Sequence, residues 1–453
     1  MSHEDGGKYF LLSLGCAKNQ VESEHIAGML LQAGWTATDQ PSRAAVLLVN
    51  TCGFIQEAVE ENLAAILELA AGKRDGQRLV VVGCLVGRYG KKLAASLGEA
   101  DLLLSPGEMH NLTALLTKHE QRLAISRPAR VFGAGDPRAV STGPGWAYLR
   151  ISDGCDRRCA FCTIGAIRGP HRSRPIDDIL KEASQLARQG VREINLVAQD
   201  LLAFGSDLPG RPQLADLLEG LSGLKSVSWL RTLYLHPDYL EQSLVRAMAA
   251  LDKVVPYFDL PLQHIADKVL AAMGRRRSGG QLRELLAMIR QTIPQATLRA
   301  TVMTGHPGEG PAEFDELMEF IAEARLDHLG CFAYSPEAGT RSARQEAPPR
   351  EEARRRRDEV MALQRTISAP KLRAMVGREL DLLVLGPHPE SDLLGHGRLA
   401  SQAPEVDGVV IITDGAAEPG ELARCRITQS HDYDLEAVIV DQSQSAAEAT
   451  LQG

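Results

Sequence analysis

The chain has 453 residues, 44% of them hydrophobic and 24% charged, with a formal net charge of −8. That length allows about three domains at one per ~150 residues, and the composition is that of an ordinary globular protein. The acidic balance argues against a partner held directly through its phosphates, because phosphate binding leaves a basic footprint.

Eight cysteines are too sparse over this length for a disulfide scaffold and read as ligands, core residues or redox sites. No apolar run approaches the roughly 18 residues of a membrane span; Leu79 to Val86, among the longest, is interrupted by Gly83. The start, Met1-Ser-His-Glu-Asp-Gly-Gly-Lys8, is polar and contains two acids, so no secretory leader and a cytoplasmic location are expected.

The first segment alternates apolar runs with amphipathic helices. Tyr9 to Leu14 ends at Gly15-Cys16, Ala44 to Val49 at Asn50-Thr51-Cys52, and Leu79 to Val82 at Gly83-Cys84. Between these runs Ile26, Met29, Leu30 and Ala33, then Val59, Leu63, Ile66, Leu67 and Ala70, recur at helical spacing. Such alternation predicts a doubly wound parallel sheet with crossover helices. In an open α/β sheet the carboxyl ends of the strands lie along one ligand-binding edge. Cys16, Cys52 and Cys84 share that position and are expected to meet as a metal or cluster site, although a single cysteine after a strand is usually a small buried hydrophobe. No Walker-type phosphate loop or Gly-x-Gly-x-x-Gly fingerprint argues for bound ATP or NAD.

Residues 133–145, rich in Gly and Pro, read as a linker. Six apolar strands follow, at Tyr148–Ile151, Ile194–Val197, Trp229–Leu235, Val254–Leu260, Thr297–Met303 and Leu329–Tyr334, with helical patterns such as Ile176–Arg188 and Leu282–Ile293 between them. Six β/α units predict an incomplete or full parallel barrel whose chemistry sits at the carboxyl ends of its strands. Polar residues gather there at Gln199-Asp200, His236-Pro-Asp238, Gln263-His264, Gly305-His-Pro-Gly-Glu309 and Ser335-Pro-Glu337, where capping and substrate contact are equally good readings. Arg275, Arg276 and Arg277 lie in a Gly-flanked loop, and Glu351-Glu-Ala-Arg-Arg-Arg-Arg-Asp358 begins a helix towards Ile367; both read as solvated charge, with contact to an acidic partner as the less favoured reading of the first.

The first barrel strand leads into Ile151-Ser-Asp-Gly-Cys155-Asp-Arg-Arg-Cys159-Ala-Phe-Cys162, with cysteines at spacings of four and three. One loop of that kind can wrap three thiolates around a face of a cubic iron–sulfur cluster. Three ligands leave one iron open, which points to chemistry rather than electron storage. The residues alone also allow a zinc site lacking its fourth ligand, or three reduced thiols in a core.

From about Leu372 the pattern changes to short strands at Glu379–Leu385, Leu394–Ala400, Val409–Thr413, Cys425–Thr428 and Leu435–Val440, separated by turns rich in Gly, Pro and Asp. This predicts a small β-barrel. Residues 371–441 hold six Lys/Arg against thirteen Asp/Glu, a balance of −7. An RNA-binding barrel should be basic, so this one is expected to prefer a basic protein.

Cys155, Cys159 and Cys162 match the CxxxCxxC signature of radical S-adenosylmethionine (SAM) enzymes. The whole chain resembles the methylthiotransferases of that superfamily, with an N-terminal α/β domain at 8–132, a radical SAM domain at 141–370 and a TRAM barrel at 371–441. Within the family it is most similar to the branch acting on small-subunit ribosomal protein twelve. The motifs are Ser13-Leu-Gly-Cys16-Ala-Lys-Asn-Gln-Val-Glu-Ser-Glu24, Asn50-Thr-Cys-Gly-Phe54, Gly83-Cys-Leu85, Phe258-Asp-Leu-Pro-Leu-Gln-His264, Tyr334-Ser-Pro-Glu-Ala-Gly-Thr340, Ala403-Pro-Glu-Val-Asp-Gly408 and Asp432-Tyr-Asp-Leu435. The tRNA-modifying branch has Gly-Cys-Gln-Met-Asn around its first cysteine, unlike Cys16-Ala-Lys-Asn19. The chain departs from the family at Asp200-Leu-Leu-Ala-Phe204, where small hydroxyl residues and a tyrosine are usual, and at His306, usually phenylalanine; both are expected to face the pocket.

The resemblance implies two 4Fe-4S clusters. Cys155, Cys159 and Cys162 would hold the one that binds SAM, with Gln199 and Gly305 as further cofactor contacts. Cys16, Cys52 and Cys84 would hold an auxiliary, sulfur-donating cluster. Cys331 and Cys425, in apolar strands, are assigned to the cores. The implied reaction replaces a C–H bond on the β-carbon of an aspartate by C–S, which no side-chain acid or base can do, so a cofactor must supply the reactivity. A radical derived from one SAM would abstract the hydrogen and a second SAM would supply the methyl group, giving 3-methylthioaspartate. Implied partners are the basic ribosomal protein and a flavodoxin- or ferredoxin-like electron donor, with no membrane and with RNA met only through the ribosome; no residue identifies the sulfur donor. Two other readings stay open at this level: the same chemistry on tRNA, and a non-catalytic iron–sulfur or zinc protein.

Overall fold

Val46–Thr51 is buried along its whole length, as a strand covered on both faces of a parallel sheet must be. The computed structural model describes residues 7–118 and 121–440. The polar start at 1–6 and residue 441, the end of the third expected domain, lie outside the described residues. Among them no helix is long and apolar enough to cross a membrane.

Around that strand stands a six-stranded sheet of β1 (Lys8–Ser13), β2 (Thr36–Ala37), β3 (Val46–Thr51), β4 (Arg78–Gly83), β5 (Leu102–Leu104) and β6 (Leu123–Ala124), in the order β2-β1-β3-β4-β5-β6. Every pairing is parallel. Side chains alternate between the faces. Leu48, Val80 and Val82 pack with Ile26 and Leu30 of helix α1 (Ala17–Gln32), whereas Leu47, Val49 and Val81 pack with Val59 and Ile66 of α2 (Gln56–Ala71) and with Leu85 and Val86 of α3 (Cys84–Ser96). The sheet is therefore doubly wound, as the alternation of apolar runs and helices predicts.

The six expected barrel strands form two parallel ladders. In the first, β7 (Trp146–Arg150) pairs with β10 (Glu193–Val197), which pairs with β11 (Trp229–Thr232); a short hairpin of β8 (Ser152–Asp153) and β9 (Arg172–Ser173) intervenes in sequence. In the second, β12 (Tyr257–Gln263), β13 (Thr297–Thr304) and β14 (His328–Ala333) follow in order. The bridge from Leu230 to Val254 and the Leu235 amide, which donates to the Asp259 carbonyl at 2.9 Å, link the ladders, and one apolar core runs beneath both. The result is an open, partial barrel. Strands β15 (Glu379–His388), β16 (Ser391–Leu399), β17 (Val410–Asp414), β18 (Leu422–Ser430) and β19 (Leu435–Ile439) then close a small barrel in the order β15-β16-β17-β19-β18. Cys331 and Cys425 are buried in the central and terminal cores, as expected.

Three expectations change. Residues 133–145 form no helix or strand, but the stretch is not a free linker: Arg138 is buried against Glu24 and Glu182 at 2.6 and 2.5 Å. The four-arginine run is not uniformly solvated, because Arg356 turns inward to Glu309 at 2.6 Å while Arg355 stays on the surface with Glu352. The acidity of the terminal barrel is partly internal. Glu405 accepts from the Tyr148 hydroxyl at 2.8 Å, and Asp407 holds Arg299 at 2.5 Å and the Tyr257 hydroxyl at 2.6 Å, all across the seam with the central domain.

Candidate active site

Three adjacent strands, β1, β3 and β4, deliver Cys16, Cys52 and Cys84 to one edge of the N-terminal sheet. Cys16 caps α1 and Cys84 opens α3, so two of the thiols lie at helix N-termini, where the backbone favours negative charge. The loops touch one another. Gly15 has φ +103, and a Cβ there would stand 2.7 Å from the Cβ of Cys52; a Cβ on Gly53 would meet the backbone of Cys84 at 2.9 Å. Asparagines fix the loops from behind. Asn19 Nδ2 donates to the carbonyls of Leu14 and Thr51, both at 2.9 Å, and Asn62 Oδ1 accepts the Cys52 amide at 3.0 Å. Asn62 carried no signal in the sequence; it lies in the middle of α2 and acquires its role only when that helix packs on β3.

The second thiol set sits past β7. The amide of Arg157 approaches Cys155 Sγ at 3.4 Å and that of Ile164 approaches Cys162 Sγ at 3.5 Å, while Cys159 Sγ lies 4.0 Å from Nε2 of His236. The loop is tethered at both flanks. Arg157 pairs with Asp200 at 2.6 Å and lies over the Tyr239 ring at 3.3 Å, and the Ala160 amide donates to the carbonyl of Met273 at 2.8 Å.

Burial pushes Cys155 up to about 11 and Cys162 and Cys84 up to about 12, and raises Cys52 as well. Buried thiols of this kind hold their protons until a metal replaces them, so ligation couples to proton release. Among the described residues no three His, Cys, Asp or Glu side chains converge on a single metal ion. The donor set of each site, three cysteine thiols, is the set that a cubic cluster bound through three corners would take.

Gln199 donates through Nε2 to Asp153 Oδ1 at 2.8 Å. Its Oε1, together with both side-chain polar atoms of Asn195 and the hydroxyl of Ser152, is buried without a protein partner. Such atoms call for an occupant, and this polar set on and beside β10 fits a cofactor such as SAM. Gly305 has an independent structural reason. Its φ is +77, a Cβ would clash with that of Ala353 at 2.3 Å, and its amide donates to Glu309 at 2.9 Å.

Within the two departures from the family pattern Leu201, Phe204 and His306 are buried side chains. Asp200 caps a single tight turn through the Leu202 amide at 3.0 Å, which turns Leu201 and Phe204 into the central core. His306 is fully buried, 2.8 Å from the Ser342 hydroxyl and 2.9 Å from the Pro307 carbonyl. Burial pushes its pKa down to about 4, leaving it a neutral aromatic among Phe161 and Tyr334.

Contacts across the domain boundary join the two thiol sites. Glu337 accepts the Gln56 amide at 2.9 Å and pairs with Arg88 at 2.7 Å. A five-residue helix, Ile164–Arg168, starts two residues after Cys162 and ends with Arg168 against Cys84 Sγ, its Nε at 3.2 Å and its Nη2 at 2.9 Å. No local pattern marked Arg168, since its hydrogen-bond partners Asn19, Glu22 and Cys84 lie in the other domain.

Residues 8–105 match the Uncharacterized protein family UPF0004, residues 149–321 the Radical SAM superfamily and residues 376–440 the TRAM domain. The ribosomal protein uS12 methylthiotransferase RimO of Syntrophobacter fumaroxidans is 47% identical over 440 residues, covering 96% of this chain and 98% of that protein. Those of Sorangium cellulosum and Myxococcus xanthus are 44% and 43% identical, covering 98% and 96% of this chain and 93% and 92% of theirs. Among solved structures, the radical SAM methyltransferase TsrM from Kitasatospora setae, with cobalamin and a 4Fe-4S cluster bound, aligns with a TM-score of 0.53 at 13% identity over 73% of this chain and 74% of that one. The cobalamin-dependent SAM radical enzyme OxsB aligns at 0.50 and 13%, over 81% and 58%. At these identities the structures speak for the fold.

Proposed function

The chain belongs to the ribosomal protein uS12 methylthiotransferases of the radical SAM superfamily, and from that membership we propose a division of labour among its residues. The enzyme uses SAM and two 4Fe-4S clusters to place a methylthio group on an aspartate of uS12. In our reading Cys155, Cys159 and Cys162 bind the cluster that carries SAM, and Cys16, Cys52 and Cys84 bind the auxiliary cluster. Bound there, the clusters would supply the reductive cleavage of SAM and the sulfur.

One observation carries this reading. Two separate triads of buried or half-buried thiols open on the same domain boundary, joined by the single turn of helix between Cys162 and Arg168. The protein's own work is positional. The asparagine-clamped loops hold three thiols on the sheet edge, Arg157 and the Met273 carbonyl fix the second loop, and Gln199 with Asn195 and Ser152 offers polar atoms to the cofactor.

The substrate is a basic ribosomal protein in this proposal, met on the exposed acids of the terminal barrel. The Asp407 side chain is buried and Glu405, though exposed, accepts from Tyr148; Asp381, Glu390, Asp414, Glu418, Glu421 and Asp432 lie on the surface. A flavodoxin- or ferredoxin-like donor in the cytoplasm completes the scheme, with RNA met only through the ribosome. The test is mass spectrometry of small-subunit proteins and tRNA digests from cells with and without the gene. Loss of one methylthio group from uS12 is expected. An unchanged uS12 with loss of a methylthioadenosine from tRNA would move the chemistry to the other substrate.

A further inference from the structure

Arg168 belongs to the central domain, yet each of its strong contacts is with the N-terminal one. Besides Cys84 Sγ it holds both carboxylate oxygens of Glu22, with Nη2 to Oε2 at 2.9 Å, and Asn19 Oδ1 at 3.3 Å. Its side chain is almost wholly buried. Burying a guanidinium is costly unless its charge is matched, and the carboxylates around Arg168 are shared with other arginines. Glu22 is shared with Arg150 at 2.8 Å; Asp153 lies 3.9 Å from Arg168, 4.0 Å from Arg150 and 3.3 Å from Arg172. Three guanidinium groups thus face two carboxylates. Cys84 Sγ, 3.2 Å from Nε and 2.9 Å from Nη2, is the remaining acceptor around Arg168.

We infer that Arg168 is a positioning residue for the auxiliary cluster, donating charge-assisted hydrogen bonds from the central domain to its Cys84 ligand and holding its reduction potential up. This rests on Cys16, Cys52 and Cys84 being that cluster's ligands. Hydrogen bonds to cluster sulfurs and nearby net charge are among the terms that set such potentials. Arg168 therefore ties the potential of one cluster to the docking of the domain that carries the other. The helix that brings it spans only about 6 Å of axial rise from the Cys162 loop.

The test is a redox titration followed by electron paramagnetic resonance on reconstituted holoenzyme, with iron counted in every sample. In Arg168→Gln the auxiliary potential is expected to fall while the potential of the Cys155/Cys159/Cys162 cluster stays put, and Arg168→Lys is expected to recover part of the shift. Glu22→Gln, which keeps Arg168 but removes its counter-charge, is expected to move the auxiliary potential up; it decides the matter if Arg168→Gln does not fold. Two full clusters with an unmoved auxiliary potential in both Arg168→Gln and Glu22→Gln would overturn the inference alone. Iron for only one cluster in the wild type would overturn the ligand assignment and the inference with it.

Discussion

Arg398 of the terminal barrel lies 2.5 Å from Glu193 on β10 of the central sheet, and Arg231 on the neighbouring strand holds the other side of the same carboxylate at 2.9 Å. All three side chains are buried. One carboxylate between two guanidinium groups is the charged rivet of the seam between the domains.

Removing Glu193 should therefore cost more than removing either arginine. Glu193→Ala leaves two buried cations facing each other, and breaking a buried pair in this way typically costs about 3–5 kcal/mol. Arg398→Met leaves Glu193 with Arg231 and should cost less. Urea unfolding of the two variants checks the order, and equal midpoints would mean that water reaches the seam and screens it.

Much of this architecture was legible from periodicity. Leu47 to Val49 and Leu79 to Val82 are unbroken apolar runs because helices cover both faces of their sheet, and the thiol positions followed from where those runs end. What could not be read locally was partnership at a distance. Arg356 looked like one of four surface arginines until the fold set Glu309 beside it. Leu201 and Phe204 appeared to be pocket residues because they follow a strand, but the turn capped by Asp200 rotates them into the core. Arg168 and Asn62 earn their roles only from the packing of one domain or helix on another.

Gly15→Ala should empty one site and spare the other. The backbone at Gly15 has φ +103, and an added Cβ would press on the Cβ of Cys52 at 2.7 Å, so both the left-handed strain and the contact act on the auxiliary triad. Purified anaerobically, the variant should hold about half the wild-type iron while still cleaving SAM. Full iron content would show that the loops yield without losing their geometry.

The triads should also separate in their chemistry. Cys159→Ala should abolish SAM cleavage and methylthiolation together, because two thiolates no longer hold the cluster that would bind SAM. Cys16→Ala should abolish methylthiolation of uS12 yet leave SAM cleavage measurable as 5′-deoxyadenosine by chromatography. Methylthiolation surviving in Cys16→Ala would remove that residue from the auxiliary site.

His25 should make stability fall in mild acid. It stacks on Phe132 at 4.6 Å between ring centroids, and its Nδ1 lies 2.9 Å from the Pro137 carbonyl. Burial first, and then the nearby Arg138, push its pKa down to about 4, against the opposing pull of Glu182. The unfolded chain takes up a proton at this histidine near its ordinary value of about 6.5, so stability is fully present above that pH and is lost as pH falls towards 4. Between about pH 7 and about pH 5 the loss should reach roughly 2 kcal/mol. His110, its ring centroid 3.9 Å from that of Phe132, is lowered in the same sense. It remains in a His25→Gln variant, so comparing the two proteins isolates His25. The wild type should lose more of its urea midpoint over that pH range than the variant; parallel pH profiles would show that His25 accepts its proton in the folded state at little cost.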